Sequence, residues 1–346
     1  MPAEWEPHLA TYIVWPHNLE TWPGNFDAIP PVFAKMAAAI ASFEPLRILV
    51  KDAAQIDDIR AMIDDAARGD HATMRRIEFF HLETNDSWIR DHGPIFLNRI
   101  DLRAGEPAQI ALDWKFNSWG EKYGSFDLDD VVPRKLGAHY GFEVIEPGIV
   151  LEGGSIDPNG AGSLLTTESC LLNPNRNPHL TRAEIEDYLR TYLGVTNVMW
   201  LGDGIAGDDT DGHIDDLARF VTHDTVVTVV EEDPADGNYK VLQDNLARLG
   251  ALRDKRGAPL KIETLPMPPP VVYDGTRLPA SYANFYIANG GIVMPSFNCP
   301  ADAVASATLA RLFPGRRVVG VLATELVWGL GAIHCLTQQH PAPAQG

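Results

Sequence analysis

Gly207-Asp208-Asp209-Thr210-Asp211-Gly212-His213-Ile214-Asp215-Asp216 sets one histidine among five carboxylates and opens the most legible repeat in the chain. After Gly212, the apolar residues Ile214, Leu217, Ala218, Phe220 and Val221 read as a strand leaving a glycine bend. On such a strand His213 and Asp215 would share a face. A second strand at 225–230, a helix at 240–249 and a strand at 261–265 complete a β-β-α-β unit. The same order begins at Glu152, with strand 163–166, helix 182–193 opened by Thr181, and strand 195–200. It recurs from Ser281, with strands 282–288 and 291–295, helix 301–313 and strand 316–322. Periods of roughly 60 to 70 residues, with two fainter copies upstream, indicate repeated supersecondary units packed into one α/β domain over 1–346. Arranged about a common axis, the unit starts at Glu152, His213 and Ser281 would converge. The 266–270 proline run reads as a stiff connector within that domain.

Upstream, helices are expected at 33–43, 56–67 and 128–140, and strands at 46–50, 75–80, 95–97 and 108–114. The polar stretch Asn85-Asp86-Ser87-Trp88-Ile89-Arg90-Asp91-His92-Gly93-Pro94 reads as a loop closed by Gly-Pro.

The chain has 346 residues, 45% hydrophobic and 22% charged, which fits a globular protein with a sizeable core. A formal net charge of −19 argues against nucleic acid and anionic membranes and favours cationic ligands. No stretch has the apolar length of a membrane span, and the N-terminus lacks the pattern of a secretion signal. Three cysteines, Cys170, Cys299 and Cys335, form no disulfide framework and suit a reducing, cytoplasmic compartment. Oligomeric state is left open, and a homo-oligomer is compatible with the sequence.

Carboxylates this crowded repel one another unless a cation enters, metallic or organic. An EF-hand register fails, because placing Gly212 sixth puts Gly207 and Ala218 at ligand positions. Zinc signatures of the H-E-x-x-H and C-x-x-C type are absent. Near the C-terminus, Trp328-Gly329-Leu330-Gly331-Ala332-Ile333-His334-Cys335 places a cysteine after a glycine-marked turn. That cysteine is either an exposed nucleophile or a buried apolar-like thiol. A dinucleotide loop would need a third glycine where His334 stands.

Taken in order, Trp88-x-x-Asp91-x-Gly93-Pro94, Glu152-Gly153-Gly154, Asn173-Pro174-Asn175-Arg176-Asn177-Pro178, Gly212-His213-x-Asp215 and His334-Cys335-x-Thr337 resemble the agmatine deiminase and bacterial peptidylarginine deiminase family. The opening Pro2-Ala3-Glu4-Trp5-Glu6-Pro7-His8 resembles its agmatine-specific members. The resemblance implies a five-bladed α/β propeller of ββαβ repeats. It also implies Cys335 as nucleophile, His213 as general acid and base, Asp91 and Asp215 as guanidinium binders, and Glu152 as partner of His213 and the guanidinium. Leu330 stands where relatives often carry glycine, and His92 occupies a variable position.

The chemistry asks for such a set on its own terms. A guanidinium carbon is a poor electrophile until carboxylates hold its N–H fork and a thiolate lies beneath it. No metal or cofactor is needed. Agmatine is the expected substrate, Trp88 is expected along its aliphatic chain, and Asp209 at its far ammonium. Arginyl peptides, a non-enzymatic polyamine-binding role and amidinotransfer are the alternatives.

Overall fold

A computed structural model describes residues 1–100 and 106–343. The repeat is explicit in the strand pairing. In the unit following His213, β10 (Ala218–Phe220) pairs antiparallel with β11 (Thr225–Val230), and β11 pairs parallel with β12 (Lys261–Pro266) across the helix Tyr239–Ala251. β7 (Asp157–Pro158), β8 (Ser163–Thr167) and β9 (Asn197–Leu201) repeat that order, as do β4 (Ile95–Asn98), β5 (Gln109–Leu112) and β6 (Glu143–Ile145). β15 (Tyr286–Ala288), β16 (Gly291–Ser296) and β17 (Arg317–Leu322) form a fourth copy. The fifth joins the two ends of the chain. β18 (Gln338–Pro341) pairs antiparallel with β1 (His8–Val14), and β1 leads through parallel β2 (Leu46–Val50) to β3 (Ile77–His81). A small hairpin, β13 (Val272–Tyr273) and β14 (Thr276–Arg277), is inserted after β12.

The parallel pairs follow from helical crossovers with clear stop and start signals. Thr181 and Glu184 form a reciprocal capping box on the helix Arg182–Leu193, and Gly194 ends it in the left-handed conformation at φ 68°. The middle strands of the sheets are apolar and buried along nearly their whole length, as strands covered on both faces are.

Three local expectations are corrected. Ile214–Asp216 is a 3₁₀ turn, and the strand runs only from Ala218 to Phe220. Every residue of this run is buried, so the apolar pattern carries no face information. Residues 128–131 precede the helix Val132–Tyr140, whose first turn is set by Pro133, while Asp129 turns its carboxylate back onto the backbone N–H groups of Asn85 and Asp86. Within the expected 85–94 loop, Ile89–His92 forms one helical turn after Trp88. The turn expected between β4 and β5 lies partly outside the described residues.

Candidate active site

Each sheet contributes from the residues just before its first strand. Asp91 precedes β4, Glu152 precedes β7, His213 and Asp215 precede β10, Asn284 precedes β15, and Cys335 precedes β18. Of the unit starts expected to converge, Glu152 and His213 meet at 3.9 Å, whereas the third unit enters through Asn284, and Ser281 instead donates to the Asp216 carbonyl. Cys335 is buried, and its Sγ lies 3.8 Å from Asp215 Oδ2 and accepts a hydrogen bond from Asn284 Nδ2 at 3.0 Å. The other Asn284 amide hydrogen bond goes to Asp216, and its carbonyl accepts the His334 N–H at 2.9 Å, so one side chain fixes the turn that presents the thiol.

His213 stands between two acids. Its Nδ1 is 3.7 Å from Asp91 Oδ1 and its Nε2 is 3.9 Å from Glu152 Oε2, and neither ring nitrogen has a hydrogen-bond partner. Gly154 makes the approach possible. A Cβ there would meet His213 Nδ1 at 2.5 Å and Asp91 Oδ1 at 2.8 Å, and the Gly154 N–H instead donates to Asp91 at 2.9 Å. The second Asp91 oxygen accepts from Trp119 Nε1 at 3.0 Å. Trp119 is aimed by a left-handed turn, with φ of 55° at Ser118 and Trp119, 93° at Gly120 and 61° at Glu121. Such a run costs roughly 1–2 kcal/mol for each non-glycine residue and persists here at the wall of the cavity.

The electrostatics divide sharply. Burial, with repulsion from Asp215 and Glu152, leaves the Asp91 carboxyl above its ordinary range despite His213. Burial opposes charge on His213, yet Asp91, with Cys170 and Glu152, holds it well above the usual histidine range. Burial also opposes charge on Glu152, but Arg176, with Nε at 2.6 Å, and His213 together outweigh it and keep that carboxyl low. The Cys335 thiol is pushed well up by burial and by the charges of Asp215, Asp216 and Asp91. A cation entering among those carboxylates would oppose their charges and acidify the thiol.

Behind Cys335, His334 bridges two carboxylates, with Nδ1 2.7 Å from Asp215 Oδ2 and Nε2 2.7 Å from Glu4 Oε2. Burial raises both carboxyls, but His334 holds Asp215 below its usual range, and Arg219 with His334 holds Glu4 well below. These partners were not found in the sequence. Arg176 sat in a quoted motif without a role, Glu4 is 330 positions from His334, and Trp119 had only Gly120 as a turn signal. Cys170 is fully buried and lies 3.9 Å from Glu152 Oε2. Cys299 caps the helix Pro300–Leu312 as its position before proline suggested. His92 is buried, 3.9 Å from Asp129, and pushed down to about 4 by burial.

Asp91 and Cys335 open on a cavity of about 710 Å³. Trp88, Phe116, Trp119 and Trp328 supply aromatic wall, while Asp86, Asp129 and Asp209 add acids against Lys51, with no arginine in the lining among the described residues. Trp88 packs at 5.6 Å from Trp22, and a Cβ on Gly331 would strike it at 2.5 Å. Asp209 is engaged at the rim, accepting from Tyr123 Oη and lying 3.7 Å from Lys122 Nζ. Asp211 pairs with Arg176. Asp208 accepts from Thr210 through one oxygen while the other is buried without a partner, and burial with repulsion from Asp215 leaves its carboxyl above the ordinary range despite His213.

The family model for Porphyromonas-type peptidyl-arginine deiminases matches residues 1–341. The agmatine deiminase of Ectopseudomonas mendocina is 40% identical, the match covering 99% of this chain and 95% of that protein. Among solved structures, the agmatine deiminase of Enterococcus faecalis superposes with a TM-score of 0.91 at 33% identity, covering 99% of this chain and 96% of that one. A putative arginine deiminase from Porphyromonas gingivalis superposes at 0.88 with 38% identity, covering 99% and 98%. The fold is the mixed α/β fold of these structures, and the chain belongs to the Porphyromonas-type peptidyl-arginine deiminase family.

Proposed function

We propose that this chain hydrolyses agmatine to N-carbamoylputrescine and ammonia. The observation that carries the reading is a buried thiol, Cys335, set 3.8 Å from one carboxylate of an acid cluster and facing an aromatic-walled cavity. In this scheme Asp91 and Asp215 hold the guanidinium fork, and the substrate's charge stabilises the Cys335 thiolate. Sulfur attacks the central carbon, and His213 gives its proton to the departing nitrogen, which leaves as ammonia. Neutral His213 then takes a proton from water, whose oxygen adds to the thiouronium carbon. Collapse expels the thiolate and leaves the urea. Glu152 orients His213 and supports its positive form. The five units form blades of one catalytic propeller domain over 1–346, with the site on their common axis.

Substrate choice follows from the far end of the cavity. An α-carboxylate would meet acids, with Lys51 and a His17 pushed down to about 4 by burial as the basic side chains lining the cavity among the described residues, whereas an ammonium suits Asp209 and a methylene chain suits Trp88. The site uses no cofactor. No helix among the described residues is long and apolar enough to cross a membrane, and a small polyamine substrate agrees with a cytoplasmic enzyme. Ammonia release from agmatine, free arginine and an arginyl peptide, compared side by side, tests this reading. Preference for agmatine supports it, and preference for the peptide replaces it with peptidylarginine deimination.

A further inference from the structure

We propose that Glu152, Cys170 and His213 form a site for one divalent transition-metal ion of the zinc class, and that filling it switches the enzyme off. One donor atom from each side chain lies within 4.8 Å of the others, and all three residues are buried. His213 is 1% exposed, and both of its ring nitrogens lack a hydrogen-bond partner. Glu152 divides its work, giving Oε1 to Arg176 and turning Oε2 toward His213 Nε2 at 3.9 Å and Cys170 Sγ at 3.9 Å. Zinc bonds of about 2.0–2.3 Å to oxygen, nitrogen and sulfur separate tetrahedral ligands by roughly 3.4–3.6 Å. These two pairs need close by only a few tenths of an ångström.

The donor set of one thiolate, one imidazole and one carboxylate is of zinc type, and leaves a fourth position for water. Binding displaces the Cys170 thiol proton and the His213 proton, so occupancy should strengthen as pH rises. A metal on Nε2 would take Glu152 Oε2 away from its task of orienting His213 and supporting its positive form in the proposed reaction. Inhibition therefore rests on the role proposed for His213, whereas metal binding does not.

The test uses the full chain stripped of metal with a chelator. A Cys299→Ser, Cys335→Ala variant retains Cys170 as its one thiol. Cobalt(II) added to it should give a near-ultraviolet thiolate-to-metal band at one equivalent. No band there overturns the site, whatever the activity data show. In the active chain, Zn²⁺ should suppress ammonia release, and excess chelator should restore it. Cys170→Ala, normalised to its own metal-free rate, should require at least about tenfold more Zn²⁺. Equal sensitivity of Cys170→Ala and the unmodified chain would place the inhibitory metal on Cys335 and overturn the switch. A cobalt band without inhibition also overturns the switch, and counts against His213 as proton carrier.

Discussion

Asp91 and Asp215 face the same cavity floor from different sheets, yet their environments drive them in opposite directions. Asp91 accepts from neutral donors, the Gly154 N–H and the Trp119 indole, and is left above the usual carboxylate range by burial and by neighbouring acids. Asp215 is equally buried but backed by His334, itself backed by Glu4, and is held low. The difference teaches that one carboxylate is ready charged before substrate arrives, while the other gains most from the substrate's charge. Asp215 lies 3.8 Å from Cys335, the proposed nucleophile, and Asp91 lies 3.7 Å from His213, the proposed proton carrier.

Removing what both acids serve has the largest effect. Cys335→Ser should lower kcat by at least about three orders of magnitude, since an alcohol is far less nucleophilic than a thiolate at neutral pH. Circular dichroism should be unchanged, because the two side chains differ little in size. Turnover within tenfold of the unmodified chain would refute covalent catalysis at this position.

The comparison itself is sharpened by Asp91→Asn and Asp215→Asn. Each loses charge-assisted bonds to the guanidinium and should cost about 2–4 kcal/mol in kcat/KM. Their pH signatures should differ. Asp91 is the leading favourable charge on His213, so Asp91→Asn lowers that histidine's pKa and moves the alkaline limb of activity to lower pH. Asp215 is the leading charge raising Cys335, so Asp215→Asn should shift the pH midpoint of iodoacetamide inactivation downward by more than Asp91→Asn does. Equal shifts in both measurements would erase the distinction.

How far these roles were legible depends on distance along the chain. The repeat, the glycine bends and the acids beside His213 are local and were readable, including the convergence of the unit starts at Glu152 and His213. The 3₁₀ turn at Ile214–Asp216 was not, because a segment buried on every side has no alternating pattern to read. The left-handed turn at 118–121 is imposed by its surroundings on residues that do not favour it, beyond Gly120. The grouping of Cys170 with Glu152 and His213 was not legible either, because the three come from separate segments of the chain.

Glu4 tests the support of Asp215. Glu4→Gln keeps an acceptor for His334 but removes the charge, and kcat/KM should fall about five- to thirtyfold, the equivalent of 1–2 kcal/mol. Because the folded carboxyl sits well below its unfolded value near 4.5, its stabilisation is present above that pH and is lost as pH falls through the folded value. Denaturant midpoints of the two chains should therefore differ at pH 7 and converge in acid. A gap that widens in acid would contradict the sign.

At the rim, Asp209→Asn should raise KM for agmatine severalfold with little change in kcat, the pattern of lost uniform binding. The expected change is modest because Asp209 already has Lys122 and Tyr123 as partners. A fall in kcat with KM unchanged would move Asp209 out of ammonium binding.

The smallest effect concerns Leu330, which is held at φ 69° on the turn before Cys335. A left-handed leucine costs roughly 1–2 kcal/mol, which glycine avoids. Glycine also forfeits the packing of a half-buried side chain, worth about 1 kcal/mol, and gains unfolded-state entropy worth roughly 0.5–1 kcal/mol. Leu330→Gly should therefore stay within about 1 kcal/mol of the unmodified chain. Leu330→Ala loses the same packing and keeps the strain. Thermal unfolding should rank glycine above alanine at this position, by about one to two degrees for a chain of this length. Alanine equal to or above glycine would mean that the turn carries no left-handed strain, and that the glycine expected there from the resemblance has another cause.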